Sequence, residues 1–236
     1  MENFNRGDFL YDRKSISRKY VPIGGFTEGT VYKISDDLVA KRFKEPRDLY
    51  VKEVHDSIIL CNPQSILTSN DFLIDDNKVY AQFIKYFNGT QSENVNNINF
   101  DVLLKFVKNI LIDIEALTEC NIQMEDITPS SFIYSDKDMK LFDTTKYCFS
   151  DKNKYDLYNH NISTVFNKSD YFNFSLNNNI IRNIIRISNN FLLEEMKYNY
   201  EDYYNFLVEL RKTLQNITGV KVNTINDGYA LIKSIK

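Results

Sequence analysis

The chain has 236 residues, 43% hydrophobic and 26% charged, a mix that fits one large domain or two small lobes and excludes a wholly disordered protein. Twenty-nine Lys and Arg against 32 Asp and Glu leave a formal net charge of -3, so the balance asks for no nucleic-acid or anionic-membrane partner. No apolar run approaches the ~18–20 residues that span a bilayer, and the opening MENFNRGD lacks the basic-then-apolar order of a secretory signal. The three cysteines, Cys61, Cys120 and Cys148, are odd in number and far apart in sequence, which reads as reduced thiols in a cytoplasmic protein. His55 and His160 share no metal-ligand spacing with them, so no zinc site is expected.

Residues 1–19 are polar and without a sustained period, as in an N-terminal extension. From Tyr20 to Phe43 the pattern is strand-like, with Ser35-Asp36-Asp37 as a hairpin turn. Pro46 is expected to end the strand, and Asp48 to cap a helix with apolar Val51, Val54, Ile58 and Cys61, stopped at Asn62-Pro63. Ser65–Ile74 and Val79–Tyr86 read as two further strands around Asp75-Asp76-Asn77. Residues 87–99 are polar and form the best linker. Phe100, Leu103, Leu104, Val107, Ile110, Leu111, Ile114 and Leu117 then draw one wide apolar stripe, the strongest helix signal in the chain. Short apolar runs over 120–142 turn at Ser135-Asp136-Lys137-Asp138, and the remainder is helical by pattern. The tyrosines Tyr198, Tyr200, Tyr203 and Tyr204 form either a partner face or a half-packed helix.

Three stretches carry residues suited to phosphate chemistry. Gly24-Gly25-Phe26-Thr27-Glu28-Gly29 lies between two predicted strands, where glycines would let backbone approach a phosphate closely. A plain hairpin is the alternative. Lys41, in Leu38-Val39-Ala40-Lys41, can reach phosphates under such a hairpin or stand solvated on an exposed face. Glu53 on the following helix could pair with Lys41 or lie on the surface. Asp126 and Asp143, seventeen residues apart, bracket a short hairpin. Two such carboxylates suit a metal-bound phosphate and a hydroxyl nucleophile, and each alone could be an ordinary loop residue.

In that order, these elements resemble the protein-kinase fold. Gly24, Gly29 and Val31 resemble the nucleotide-covering loop, with Phe26 in the middle glycine's place. Val39-Ala40-Lys41 resembles the strand carrying the phosphate-binding lysine, and Glu53 its helix partner. Asp126-Ile127-Thr128-Pro129-Ser130-Ser131-Phe132 resembles the catalytic loop, and Leu141-Phe142-Asp143-Thr144-Thr145 the strand end with the metal-binding aspartate. The resemblance covers roughly residues 20–150. It departs at Met124-Glu125 for His-Arg, at Thr128 for the loop lysine, at Ser131 for the metal-binding asparagine and at Thr144-Thr145 for Phe-Gly.

The resemblance implies an α+β, two-lobed protein kinase-like fold: an extension (1–19), a small five-stranded N-lobe with one helix (20–86), a hinge (87–99) and a short, mostly helical C-lobe (100–236). It implies ATP with Mg²⁺ between the lobes. Gly24, Gly25, Gly29, Val31, Ala40, Lys41, Glu53, Ile84 and Tyr86 would bind the nucleotide, and Asp143 and Ser131 the metal. Asp126, with Lys41, would carry catalysis. The expected function is a divergent phosphotransferase acting on Ser/Thr hydroxyls of protein. The alternatives are a pseudokinase, a regulatory module that binds nucleotide or a protein partner, and, more weakly, a small-molecule kinase.

Overall fold

The computed structural model describes residues 4–11, 13–26, 28–92, 95, 97–168, 178–196 and 203–235. Strands β1 (Val21–Phe26), β2 (Gly29–Lys33), β3 (Leu38–Asp48), β4 (Ser69–Asp75) and β5 (Lys78–Lys85) form one antiparallel sheet in the order β1-β2-β3-β5-β4. Turn chemistry fixes the β4–β5 hairpin: Asp76 and Asn77 both take left-handed backbone (φ 44° and 58°), the geometry of a tight two-residue turn that asparagine and aspartate tolerate.

Two local expectations fail on this sheet. Pro46 lies inside β3 instead of ending it, because the β3–β5 register is interrupted between Arg42 and Arg47; a proline, having no N–H, fits where the ladder is already broken. Asp48 belongs to β3 and pairs with Lys78 on the neighbouring strand β5. The next helix, α1 of the core (Tyr50–Leu60), therefore starts from Leu49 with no side-chain cap.

The small lobe carries more than one helix. A 3₁₀ turn (Arg6–Leu10) and a short helix (Arg13–Lys19) from the N-terminal extension fold back onto the sheet. Phe9 and Ile16 are buried there with Tyr20, Tyr32, Ala40, Ala81 and Phe83. Phe9 stacks on Tyr20 and meets Tyr32 and Phe83 edge-on, so aromatic faces seal the extension to the lobe. The polar composition of 1–19 hid two apolar anchors.

Within the linker, β6 (Thr90–Gln91) joins β8 (Phe132–Tyr134) and β9 (Met139–Leu141) in a three-stranded sheet. The apolar stripe becomes α2 (Phe100–Glu119), capped by the Asn99 side chain accepting from the Asp101 N–H. Its buried face, including Phe100, Leu103, Phe106, Val107, Ile110, Ile114 and Leu117, is the centre of the large-lobe core. A further two-stranded pair joins β7 (Ile122–Gln123) to β10 (Cys148–Phe149). Helices α3 (Lys154–Ser163), α4 (Asn178–Ser188), α5 (Phe191–Met196), α6 (Tyr203–Thr218) and α7 (Ile225–Ile235) complete the lobe. Tyr203 is buried and stacks on Phe166, a packed role; Tyr198 and Tyr200 lie outside the described residues.

The lobes meet through specific groups. Cys61, capping α1, and Cys120, capping α2, approach with sulfurs 2.7 Å apart, although 59 residues separate them. Burial first, then its neighbouring thiol, push the Cys61 thiol up to about 12, so it is protonated at neutral pH and a poor nucleophile. The segment after α1 also crosses to the large lobe: Leu141 N–H donates to Ser65 C=O and Leu67 N–H to Leu141 C=O, both at 2.8 Å. That places residues 65–67 alongside β9, two residues before Asp143.

Candidate functional site: an interlobe cleft

Strand period 2 decides which residues of β3 face the cleft. Val39 and Lys41 point into it and line a cavity of about 280 Å³, close to the roughly 300 Å³ lower end of small-molecule sites. Ala40 points the other way, into the packing of the N-terminal extension. Its expected place in the cleft is therefore corrected: Val39, not Ala40, lines the cavity. Ile23, Gly24, Val31, Leu67, Ile84 and Phe142 supply further cavity wall, and Tyr86 and Phe87 lie at its rim. Tyr86 N–H donates to Asp37 C=O. The N–H groups of Phe87 and Asn88 meet no backbone acceptor among the described residues, which leaves both donors open at the rim.

Two expected glycines do not line the cavity. At Gly29 an added Cβ would come within 2.5 Å of the Arg42 carbonyl oxygen, so close packing of β2 on β3 requires that glycine. Gly25 is exposed, with nothing within 4 Å of an added Cβ. Both corrections follow from register: the hairpin folds over the cleft with Gly24 inward.

At the closed end, Lys41 is 3% exposed and its Nζ lies 2.5 Å from Asp143 Oδ1. Asp143 takes left-handed backbone (φ 66°), a conformation aspartate adopts more readily than most residues. Burial pushes its carboxyl up, but the Lys41 charge and hydrogen bond and the Thr145 hydroxyl outweigh it and hold Asp143 below the usual 3.8. Thr145 Oγ1 sits 2.7 Å from Asp143 Oδ1, 3.2 Å from Glu28 Oε2 and 3.4 Å from Lys41 Nζ. Glu28 in turn accepts from Lys146 at 2.7 Å and faces Arg47 at 3.2 Å.

Glu53 is not part of this cluster. It is exposed, and its carboxylate has no ion pair among the described residues. Helix α1 buries Val54, His55 and Ile58 instead. Two residues is about 200° around a helix, so with His55 facing the cleft side, Glu53 faces away. His55 Nε2 meets Thr144 Oγ1 at 2.8 Å. Thr144 and Thr145, which stand where the resemblance expects a flexible glycine hinge, are both buried and bonded to small-lobe residues.

Desolvation dominates at His55 and lowers it to about 4. The folded value lies below the ordinary 6.5, so between pH 6.5 and 4 the unfolded chain binds the extra proton. Stability from this group is whole above pH 6.5 and declines as pH falls toward 4, by on the order of 3 kcal/mol. Urea unfolding between pH 7 and 4.5 is expected to show that slope, and His55→Gln to flatten it. An unchanged slope in the variant contradicts a buried neutral imidazole.

The catalytic-loop region is set by local capping. Thr128 and Ser131 form a reciprocal capping box around a 3₁₀ turn with Pro129 at its first position. Ser131 Oγ accepts from Thr128 N–H at 3.1 Å, and Ser131 is buried with its side chain spent on that turn. Its expected role as a metal ligand is corrected: the hydroxyl that would meet the ion is engaged with Thr128 instead, while Asp143 is the carboxylate that lines the cavity. Asp126 is exposed, with φ 57°, and does not line the cavity. Buried Asn161 braces the approach to it, accepting from Met124 N–H at 2.8 Å and donating to Ile122 C=O at 3.0 Å.

Sequence reasoning missed Glu28, His55, Thr145 and Gln82. Gln82 is 1% exposed and lines the cavity opposite Lys41 in register. Its Oε1 accepts from Ser69 Oγ at 3.2 Å, while its Nε2 has no protein partner among the described residues. Pairing register with Lys41 was the signal that could have found it.

A five-stranded sheet, one core helix beside it, a hinge and a helical lobe thus meet at a Lys41–Asp143 contact beneath a glycine hairpin. The arrangement matches the two-lobed α+β architecture that the sequence resemblance implies. Similar solved structures include a twitchin kinase fragment of C. elegans, with autoregulated protein kinase and immunoglobulin domains, at 17% identity and a TM-score of 0.44, covering 55% of this chain and 32% of that one. Another is the kinase PK-1 of Cydia pomonella granulovirus, at 18% identity and a TM-score of 0.44, covering 60% of this chain and 59% of that one. The chain therefore spans less than two thirds of either. No protein-family model and no curated protein matches it. No helix among the described residues is long and apolar enough to cross a membrane.

Proposed function

We propose that this chain binds an adenosine phosphate in the interlobe cleft and serves as a pseudokinase-type regulatory module toward a protein partner. The observation that carries this reading is the buried Lys41 ammonium against Asp143 at the end of an apolar cavity. A mainly apolar cavity with open backbone N–H groups at its rim suits a base, and an ammonium at its far end suits phosphate. Mg²⁺ fits in part: Asp143 would hold it, and it would neutralise phosphate charge. Ser131 would not contribute, for the reason given above.

Phosphotransfer to a Ser/Thr hydroxyl is the second reading, and Asp126 favours it. Its carboxylate is exposed and uncommitted, free to accept a proton from a hydroxyl nucleophile. Against it stand a lysine with no helix partner and a loop whose lysine and asparagine positions are Thr128 and Ser131, both turned to local capping.

Thermal unfolding with Mg·ATP, followed by mass spectrometry for transferred phosphoryl, separates the two. Ligand at a hundredfold its Kd is expected to add about 2.7 kcal/mol, a Tm rise of roughly 5–10 °C, with no phosphoryl incorporation. Incorporation that disappears in Asp126→Asn establishes the second reading. No thermal response to any adenosine phosphate overturns both.

A further inference from the structure

Glu28 lies in the hairpin that covers the cleft, and both its oxygens are engaged. Oε1 faces Lys146 at 2.7 Å and Arg47 at 3.2 Å, and Oε2 takes the Thr145 hydroxyl at 3.2 Å. Thr145 is the same hydroxyl that bonds Asp143 and lies by Lys41. One O–H can donate to only one carboxylate at a time, so Glu28 and Asp143 share a single bridging donor. Glu28 thereby places a negative charge one hydroxyl away from the buried ammonium. Burial raises its carboxyl, but Lys146, Arg47 and Lys41 together hold it below the usual range, so it is ionised at neutral pH.

We infer that Glu28, just behind the cavity wall and linked to Lys41 and Asp143 through the Thr145 hydroxyl, is a specificity-determining residue, an internal anion that offsets the cationic end and sets the preference against highly charged phosphate chains. This rests on the nucleotide reading above. Lys41, Arg47 and Lys146 are three cations around two carboxylates, Glu28 and Asp143. That leaves a single surplus positive charge for an incoming polyphosphate, which must also displace Glu28 from Lys146 and Thr145 or lie against it. A nucleoside, which brings no charge, meets no such opposition. The contact also ties the covering hairpin of the small lobe to residues 145–146 of the large lobe, so it holds the cleft closed at that end when no phosphate is present.

Glu28→Gln removes the charge and keeps the shape. Titration calorimetry of adenosine, ADP and ATP at fixed excess magnesium compares it with the native chain. The native chain is expected to bind ATP more tightly than adenosine through Lys41, by a smaller margin than Glu28→Gln does. In Glu28→Gln, ATP is expected to bind at least about tenfold tighter than it does to the native chain, because a like charge within a few ångströms of a partly buried site has gone. Adenosine affinity is expected to be equal in both proteins, which also reports that the variant is folded. Equal ATP affinity in the two proteins, with adenosine bound by both, overturns the role of Glu28 and leaves the cleft reading standing. No adenosine or ATP bound by either protein overturns the cleft reading and the inference together.

Discussion

Lys41→Met is expected to lower stability by about 2–4 kcal/mol at pH 7, a Tm drop of roughly 5–15 °C, and to abolish nucleotide binding. Lys41 is 3% exposed, and its removal leaves the Asp143 carboxylate partly buried with the hydroxyl and backbone N–H of Thr145 as its donors but no cation beside it. Breaking a fully buried pair costs about 3–5 kcal/mol; the Asp143 side chain keeps 25% exposure, so the expected figure is smaller. The pH dependence distinguishes this from a loss of packing. In the native chain Asp143 is held below 3.8, so its stabilisation is whole above that value and is lost as pH falls through the lower folded value. Without Lys41 the charge that holds it down is gone and burial acts to raise it. Protonation then relieves the variant, and the gap between the two proteins narrows as pH is lowered from 7 to 5. Urea unfolding at both pH values checks this, and a gap of constant size contradicts it. Adding Asp143→Asn to Lys41→Met is expected to recover more than half of the loss, since the cost lies in the orphaned charge.

Asp113→Ala is expected to cost about 3–5 kcal/mol, comparable to breaking a buried charged network. Asp113 sits on α2 at 2% exposure, flanked on the buried face by apolar Ile110, Ile114 and Leu117. It accepts from Gln64 N–H at 2.8 Å and Ser65 N–H at 2.7 Å, and from the Ser65 hydroxyl. Those residues begin the segment that pairs with β9 through Leu141. The carboxylate thus fixes a small-lobe crossing against the large lobe, and β9 leads directly to Phe142 and Asp143. Deleting it leaves two backbone donors without an acceptor, whereas Asp113→Asn keeps one acceptor and is expected to lose less. Chemical denaturation ranks the three proteins, and nucleotide affinity is expected to fall in the same order. A neutral Asp113→Ala contradicts the bracing role.

The order of elements was legible because each carries its own local signal. The β4–β5 turn residues, the α2 stripe and the 135–138 turn announce themselves within a few positions. What remained hidden was decided by tertiary register. Asp113 interrupts an apolar stripe, and only its partners at 64–65, 48 and 49 residues earlier, explain it. Ala40 and Val39 differ by one position on a strand, and that single step moves a side chain from cavity to core. Glu53 and His55 differ by two positions on a helix, which reverses the face. Ser131 was read as a ligand from its place in a motif, while the capping box it forms with Thr128 was itself visible as Thr-Pro-Ser-Ser. Cys61 and Cys120 gave no local sign of their contact at all.

Titration calorimetry of Mg·ATP against the native chain and Lys41→Met tests the central claim most directly. Saturable one-to-one binding to the native chain, lost in Lys41→Met, is the result expected if the ammonium and Asp143 meet around a phosphate. Equal affinity for the two proteins, with Lys41→Met shown folded by its unfolding transition, would contradict it.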